Sequence, residues 1–147
     1  MTRLTPWGQV DLLLFIADNP MRGGLAVALA ISVPHLFLPL DWSVALAALT
    51  LAVIAGVYIG FAVLHGREHA FVAEAIAAVT FAALALGGMM VSPWIIPVGL
   101  VGHAIWDMLH HRRTHFLTDV PGWYVPFCIV IDVILALVLA VSWAGGT

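Results

Sequence analysis

Long apolar segments, separated by short polar or proline-containing turns, extend from residue 23 to residue 143. A helix needs about 20 mostly apolar residues to cross a bilayer, and lipid offers no partner for the open edge of a sheet. The pattern therefore predicts an all-α integral membrane bundle of about five transmembrane helices. The predicted spans are Gly23–Leu40, Ser43–Leu64, Ala70–Val91, Pro93–Leu109 and Trp123–Trp143.

The residues before the first span form a different kind of segment. Leu12 to Ala17 is a short apolar patch between Asp11 and Asp18, and no convincing cleavage site follows it. This pattern favours a short interfacial helix over a removed signal peptide. The predicted organisation is thus an N-terminal interfacial segment, 1–22, and a five-helix transmembrane domain, 23–147.

Composition supports the membrane class and excludes several functions. Hydrophobic residues make up 63% of the chain and charged residues 9%, with a formal net charge of −3. Lysine is absent, so a Schiff-base cofactor has no attachment site. Cys128 is the single cysteine, which excludes disulfides, multi-cysteine metal sites and c-type haem. Without a basic stripe, nucleic acid is not an expected partner.

The arginines predict the orientation. Arg22, Arg67, Arg112 and Arg113 flank the same ends of the five spans. By the positive-inside rule, we expect a multi-pass protein of the inner (plasma) membrane with its N-terminus in the cytoplasm and its C-terminus outside. The many alanine and glycine positions are compatible with a homo-oligomer.

Most of the histidines fall at or near that same arginine-bearing face. Ionisable groups within a membrane are costly, so several of them at one level indicate a site. His103 and Asp132 each lie about 13 Å into their spans, at the same depth. Residues three, four or seven apart share a helix face, which groups side chains within each span. The candidate metal ligands are His65, His69, His103, Asp107, His110, His111, His115 and Asp132.

These ligand types suit iron, as one or two ions, or zinc. Structural explanations stand beside the metal hypothesis. His103 and Asp132 could form a simple buried hydrogen bond, Glu74 could pair with Arg67, and His110 with His111 could be a solvated cluster at the membrane edge. His35, toward the opposite face, is expected to be a packed or interfacial histidine.

Two short motifs partly resemble the histidine boxes of the membrane fatty-acid hydroxylase and desaturase superfamily. His65-Gly-Arg-Glu-His69 matches His-x-x-x-His, and Asp107-Met-Leu-His110-His111 matches His-x-x-His-His with aspartate in place of the first histidine. His111-Arg-Arg-Thr-His115 offers another four-residue pair, while the third box is missing. This resemblance implies non-haem iron at the cytoplasmic face, with carboxylates replacing some histidines.

Other resemblances lead elsewhere. His65-Gly-Arg-Glu68-His69 is similar to the His-x-x-Glu-His order of inverted zinc peptidases. The histidines and aspartates resemble those of alkaline ceramidases, although no serine stands four residues before His65 or His69. Gly102-His103-x-x-Trp106-Asp107 and Trp123-Tyr124-x-x-Phe127-Cys128 resemble a family of small, histidine-rich bacterial membrane proteins. That family implies five helices and leaves the chemistry open.

The sequence favours a metal-dependent membrane enzyme that acts on a lipid-like, hydrophobic substrate at the cytoplasmic leaflet. A non-haem iron hydroxylase or oxidoreductase, supplied by an electron donor, is preferred over a zinc hydrolase. In the hydrolase, Glu68 or Glu74 would be the catalytic base. Tyr58 and Trp106 are candidates to line the substrate cavity. A b-type haem electron-transfer protein using His65 and His103 is an alternative. A metal-ion carrier is another, although its polar path stops near mid-bilayer.

Overall fold

The computed structural model describes residues 16–65, 68–111 and 117–145, and this part of the chain is helical and contains no strand. Its elements are α1 (Pro20–Ser32), a 3₁₀ helix (Val33–Leu36), α2 (Leu40–His65), α3 (Glu68–Met90), α4 (Ile95–His111) and α5 (Tyr124–Ala144). The all-α prediction is confirmed. Three of these helices, α2, α3 and α5, are long and apolar enough to cross a membrane.

The predicted boundaries of the last four segments differ from those of α2 to α5 by three residues or fewer. The first predicted segment is different, because its α-helix ends at Ser32 and a 3₁₀ turn follows. Pro34 has no N–H to donate to the carbonyl of Ala30, so an α-helix cannot continue through it without losing a bond. Most of the predicted interfacial segment, residues 1–15, lies outside the described residues, and α1 already begins at Pro20.

Helices α1 and α5 run parallel and touch closely. A Cβ added at Gly24 would lie 2.6 Å from the carbonyl oxygen of Phe127 and 3.2 Å from Cβ of Val130. Only glycine leaves room for the two backbones at this point. In the rest of the bundle, α5 packs beside α4, α4 packs beside both α2 and α3, and α2 packs beside α3.

The end of the bundle away from the arginines is tied together by Ser43. A hydrogen bond of 2.8 Å joins Ser43 Oγ to His35 Nδ1, and Trp143 Nε1 donates to the same oxygen at 2.9 Å. These three residues belong to the 3₁₀ helix, the start of α2 and the end of α5. His35 is only 1% exposed, which confirms that it is a packed histidine.

Between the two ends, the helices share a core of alanine, leucine and isoleucine side chains that includes Ala47, Leu51, Ile96 and Leu135. Large apolar side chains are also exposed on the outside of every helix, such as Val53, Val79, Val98 and Leu137. In water such a surface would be an extended apolar patch, whereas lipid is a suitable solvent for it. The polar site described below lies inside this apolar shell.

Candidate metal centre

Three potential metal ligands meet between α4 and α5. His103 and Asp107 are four residues apart on one face of α4, and Asp132 faces them from α5. All three are buried, and one ligand atom of each lies within 4.8 Å of the other two. His103 Nδ1 lies 2.8 Å from Asp132 Oδ2, so these two residues sit at the same level of the bundle.

The hydrogen bonding of His103 favours one tautomer. A carboxylate can only accept, so Nδ1–H donates to Asp132, while Asp107 Oδ1 lies 3.7 Å from the same nitrogen. This leaves Nε2 with a lone pair. Nε2 and Asp107 Oδ2 are buried and have no hydrogen-bond partner among the described residues. Nδ1 is the nitrogen that faces both carboxylates, so an ion held by all three side chains would take the place of its proton. One imidazole and two carboxylates form a donor set that fits a divalent metal ion.

Tyr58 of α2 completes the cluster. Its hydroxyl donates a short hydrogen bond to Asp107 Oδ1, and its ring centroid lies 5.9 Å from that of His103. Phe81 of α3 packs edge-on against His103 at 5.0 Å. Tyr58 is 1% exposed, so the structure places it as an orienting group for Asp107 within the protein interior.

The charges in this cluster need a counterion. Asp107 and Asp132 are 0% and 1% exposed, and burying a carboxylate without compensation is costly. The chain has no lysine, and its arginines, at positions 3, 22, 67, 112 and 113, lie before α1 or near helix ends. No permanent cation is therefore available along the helix interiors. Protons or a bound metal ion must supply the positive charge.

A second polar cluster surrounds Glu74 of α3. Its Oε1 accepts from the backbone N–H of Thr118 at 3.1 Å and lies 2.8 Å from His110 Nε2. Its Oε2 accepts from Trp106 Nε1 at 3.1 Å. Glu74 thus holds α3 to α4 and to the connection before α5. Arg67, the partner considered from the sequence, lies outside the described residues.

His110 has both ring nitrogens engaged. Nδ1–H donates to the carbonyl oxygen of Trp106 at 3.0 Å, because a carbonyl can only accept. One proton is then shared between Nε2 and Glu74 Oε1. His110 therefore presents no open nitrogen to a metal in this arrangement. Its ring stacks on Tyr58 with centroids 4.2 Å apart, so the Glu74 cluster contacts the candidate metal site through Tyr58.

The other candidates from the sequence do not join the buried cluster where the structure describes them. Glu68 and His69 are exposed at the start of α3, and His111 is exposed at the end of α4. The side chain of His65, and the whole of His115, lie outside the described residues. The structure thus brings together His103, Asp107 and Asp132, and it pairs His110 with Glu74.

Three contributors to these clusters were not predicted in these roles from the sequence. Tyr58 and Trp106 were expected to line a substrate cavity, yet each donates a hydrogen bond to a buried carboxylate. The Thr118 contact uses a backbone N–H, for which the sequence carries no signal. The presence of buried carboxylates without lysine was the one available hint that tyrosine, tryptophan or histidine donors would surround them.

No family model, curated protein or solved structure matches this chain. The chemistry of the two clusters is consequently the basis for assigning a function.

We predict that Glu74→Ala lowers the free energy of unfolding in detergent by roughly 3–5 kcal/mol, because it removes one member of a buried pair and leaves three donors without their acceptor. Glu74→Gln should lower the free energy of unfolding less than Glu74→Ala does, since its amide oxygen can still accept a hydrogen bond. Glu68→Ala, which removes an exposed glutamate from the same helix, is the control and should leave unfolding unchanged. Equal stability of Glu74→Ala and Glu68→Ala would contradict this role of Glu74.

Proposed function

We propose that this chain is a metal-dependent membrane enzyme that binds one divalent transition-metal ion through His103, Asp107 and Asp132. The observation that carries the proposal is the convergence of these side chains, whose ligand atoms lie within 4.8 Å of one another in a buried cluster. Three protein ligands with remaining open positions are typical of catalytic rather than structural metal sites.

The ligand types favour iron over zinc. One imidazole with two carboxylates is a ligand set rich in oxygen, and open-sided sets of histidine and carboxylate are used by non-haem Fe(II) enzymes. Such an ion would supply Lewis acidity and, for iron, redox chemistry. Zinc, with hydrolysis of the substrate, is the second candidate. The geometry supports the zinc hydrolase less, because neither candidate general base is available at the cluster. Glu74 is bonded to three donors, and Glu68 is exposed at the start of α3.

Neighbouring residues orient the ligands and shield the cluster from water. Asp132 accepts from Nδ1–H of His103 and thereby keeps Nδ1 turned toward both carboxylates, where a bound ion would replace the proton. Tyr58 donates to one oxygen of Asp107 and leaves the other free. Phe81 and the surrounding apolar core exclude water from the cluster. A hydrophobic substrate suits this environment, since it would reach the site through lipid or the apolar core.

We also propose that all five helices cross the inner membrane, with the arginine-bearing ends in the cytoplasm. The alternating direction of α1 to α5 supports this topology: Gly24 lies beside Phe127 at one end of the bundle, and His35 contacts Ser43 beside Trp143 at the other. Helix α4 has 17 residues, about 25 Å of length, which is at the lower limit for a span.

Metal content tests the site. Purified without chelators, the wild-type protein should carry about one iron ion per chain by plasma mass spectrometry, because three protein ligands hold a single ion. His103→Ala and Asp132→Asn should lose it, while Asp41→Asn, which changes an exposed carboxylate of α2, should retain it. Circular dichroism checks folding. Full metal content in folded His103→Ala would refute the assignment, and a Soret band would indicate haem instead.

Lipid composition tests the enzymatic part. Cells that produce equal amounts of wild-type protein and His103→Ala should differ in lipid mass spectra. An iron oxygenase should generate species heavier by one oxygen atom, whereas a hydrolase should remove a species and release its fragments. Identical lipid profiles, with metal bound only to the wild type, would contradict an enzyme acting on membrane lipids and leave the metal site intact.

Cysteine labelling tests the topology. In a Cys128→Ala background, we expect Phe37→Cys and Val91→Cys to react on intact cells with a membrane-impermeant maleimide, because both positions are 81% exposed at the predicted outer ends. Gly122→Cys should react only after permeabilisation. Reaction of Val91→Cys and Gly122→Cys from the same side would show that α4 does not cross.

A further inference from the structure

A cavity of about 390 Å³ opens at the arginine-bearing end of the bundle, between the end of α4 and residues 117–122. At about 30 Å³ per molecule, it has room for roughly ten waters. Exposed residues form its rim and buried residues its inner wall. The rim includes His111, Asp119 and Gly122, and the inner wall includes His110, Thr118 and Val125.

The cavity lies close to the candidate metal site along both α4 and α5. Val125 is seven residues from Asp132 on the same face of α5, and His110 is three residues from Asp107 on α4. These separations are about 10 Å and 5 Å along the helix axes. The inner wall of the cavity is thus one or two helical turns from the ligands.

Two stacked rings separate the cavity from the cluster. His110 lines the cavity, Tyr58 stacks on His110 at 4.2 Å, and the Tyr58 hydroxyl is bonded to Asp107. The ring of His110 is held in this position by Glu74. In the cavity wall, Oγ1 of Thr118 is buried without a hydrogen-bond partner among the described residues, which makes it a polar group available to a hydrated ligand.

We propose that this cavity is the access route by which a hydrated divalent cation passes from the aqueous phase to His103, Asp107 and Asp132, with the Tyr58–His110 stack as the barrier. The inference rests on the proposed metal site and adds the path and the gate. The cavity offers nitrogen and oxygen groups that can replace water around the ion.

The competing path is less suitable for a cation. A groove of about 440 Å³ runs along the outer seam of α4 and α5 and is lined by Trp94, Pro97, Val98, Val101, Val133 and other apolar residues. Val133, which lines this groove, directly follows Asp132 in the sequence, but the groove provides almost no polar surface. Moving a hydrated ion through it would require stripping its water without replacement, which is very costly.

The test fills the cavity without disturbing the cluster. A Cβ added at Gly122 would meet nothing within 4 Å among the described residues, and the same holds for Gly60, exposed on α2. Gly122→Phe should slow Co²⁺ uptake by the metal-free protein about tenfold or more, with the same final content. Gly60→Phe, the matched control, should keep the wild-type rate. If Gly122→Phe does not fold, Val120→Phe fills the same cavity.

Cys128 supplies a readout that needs no metal. It lies one helical turn from Val125 and one turn from Asp132 on α5, and it is the single cysteine of the chain. Its reaction with a small, water-soluble thiol reagent should be slowed by Gly122→Phe, unaffected by Gly60→Phe and accelerated by His110→Ala, which removes one ring of the barrier.

The two readouts distinguish the two proposals. Absence of Co²⁺ binding at equilibrium, with the expected pattern of Cys128 labelling, would overturn the metal site and support the route as a water path. Unchanged Co²⁺ uptake and unchanged Cys128 labelling in folded Gly122→Phe would overturn the route. Slower uptake in Val133→Trp, which obstructs the outer groove, together with normal uptake in Gly122→Phe would assign access to the lipid side.

Discussion

The hydrogen bond between His103 and Asp132 is the interaction on which the polar interior depends. It joins α4 to α5 and supplies a donor to a carboxylate that is 1% exposed. Without it, the buried carboxylate of Asp132 would lose its hydrogen bond from His103, and no bulk water could replace that bond in the protein interior. The same bond fixes the ring of His103, so it also determines which nitrogen faces Asp107 and Asp132.

The bundle is held at both ends by side chains that form several hydrogen bonds. Ser43 joins the 3₁₀ helix, α2 and α5 at one end, and Glu74 joins α3, α4 and the connection before α5 at the other. In lipid, helix association gains little from the hydrophobic effect and depends on close packing and polar contacts. The small residues at helix contacts and the side chains of Ser43 and Glu74 meet that requirement, and the Glu74 cluster also supports Tyr58 through His110.

The arrangement changes the kind of metal site that the sequence suggested. Of the described histidines in the motifs that resemble desaturase boxes, His69 and His111 are exposed and His110 is buried against Glu74. The buried metal-ligand cluster instead contains one histidine and two aspartates. This difference supports a single ion over the pair of ions that the boxes imply. It also places the cluster in the interior of the bundle, so a metal ion bound there would need a polar path of its own.

The sequence by itself determined most of the helices and the level of their polar residues along the bundle. Long apolar runs and the prolines between them predicted five segments, and the last four match the observed helices to within three residues. They also placed His103 level with Asp132, because the rise per residue converts counting into distance along a helix. Only the tertiary structure decided the partners. The rotation of each helix about its axis turned Glu74 toward His110, Tyr58 toward Asp107 and His69 toward the surface. That rotation depends on contacts between helices distant in sequence, such as Gly24 against Phe127, which no local pattern encodes.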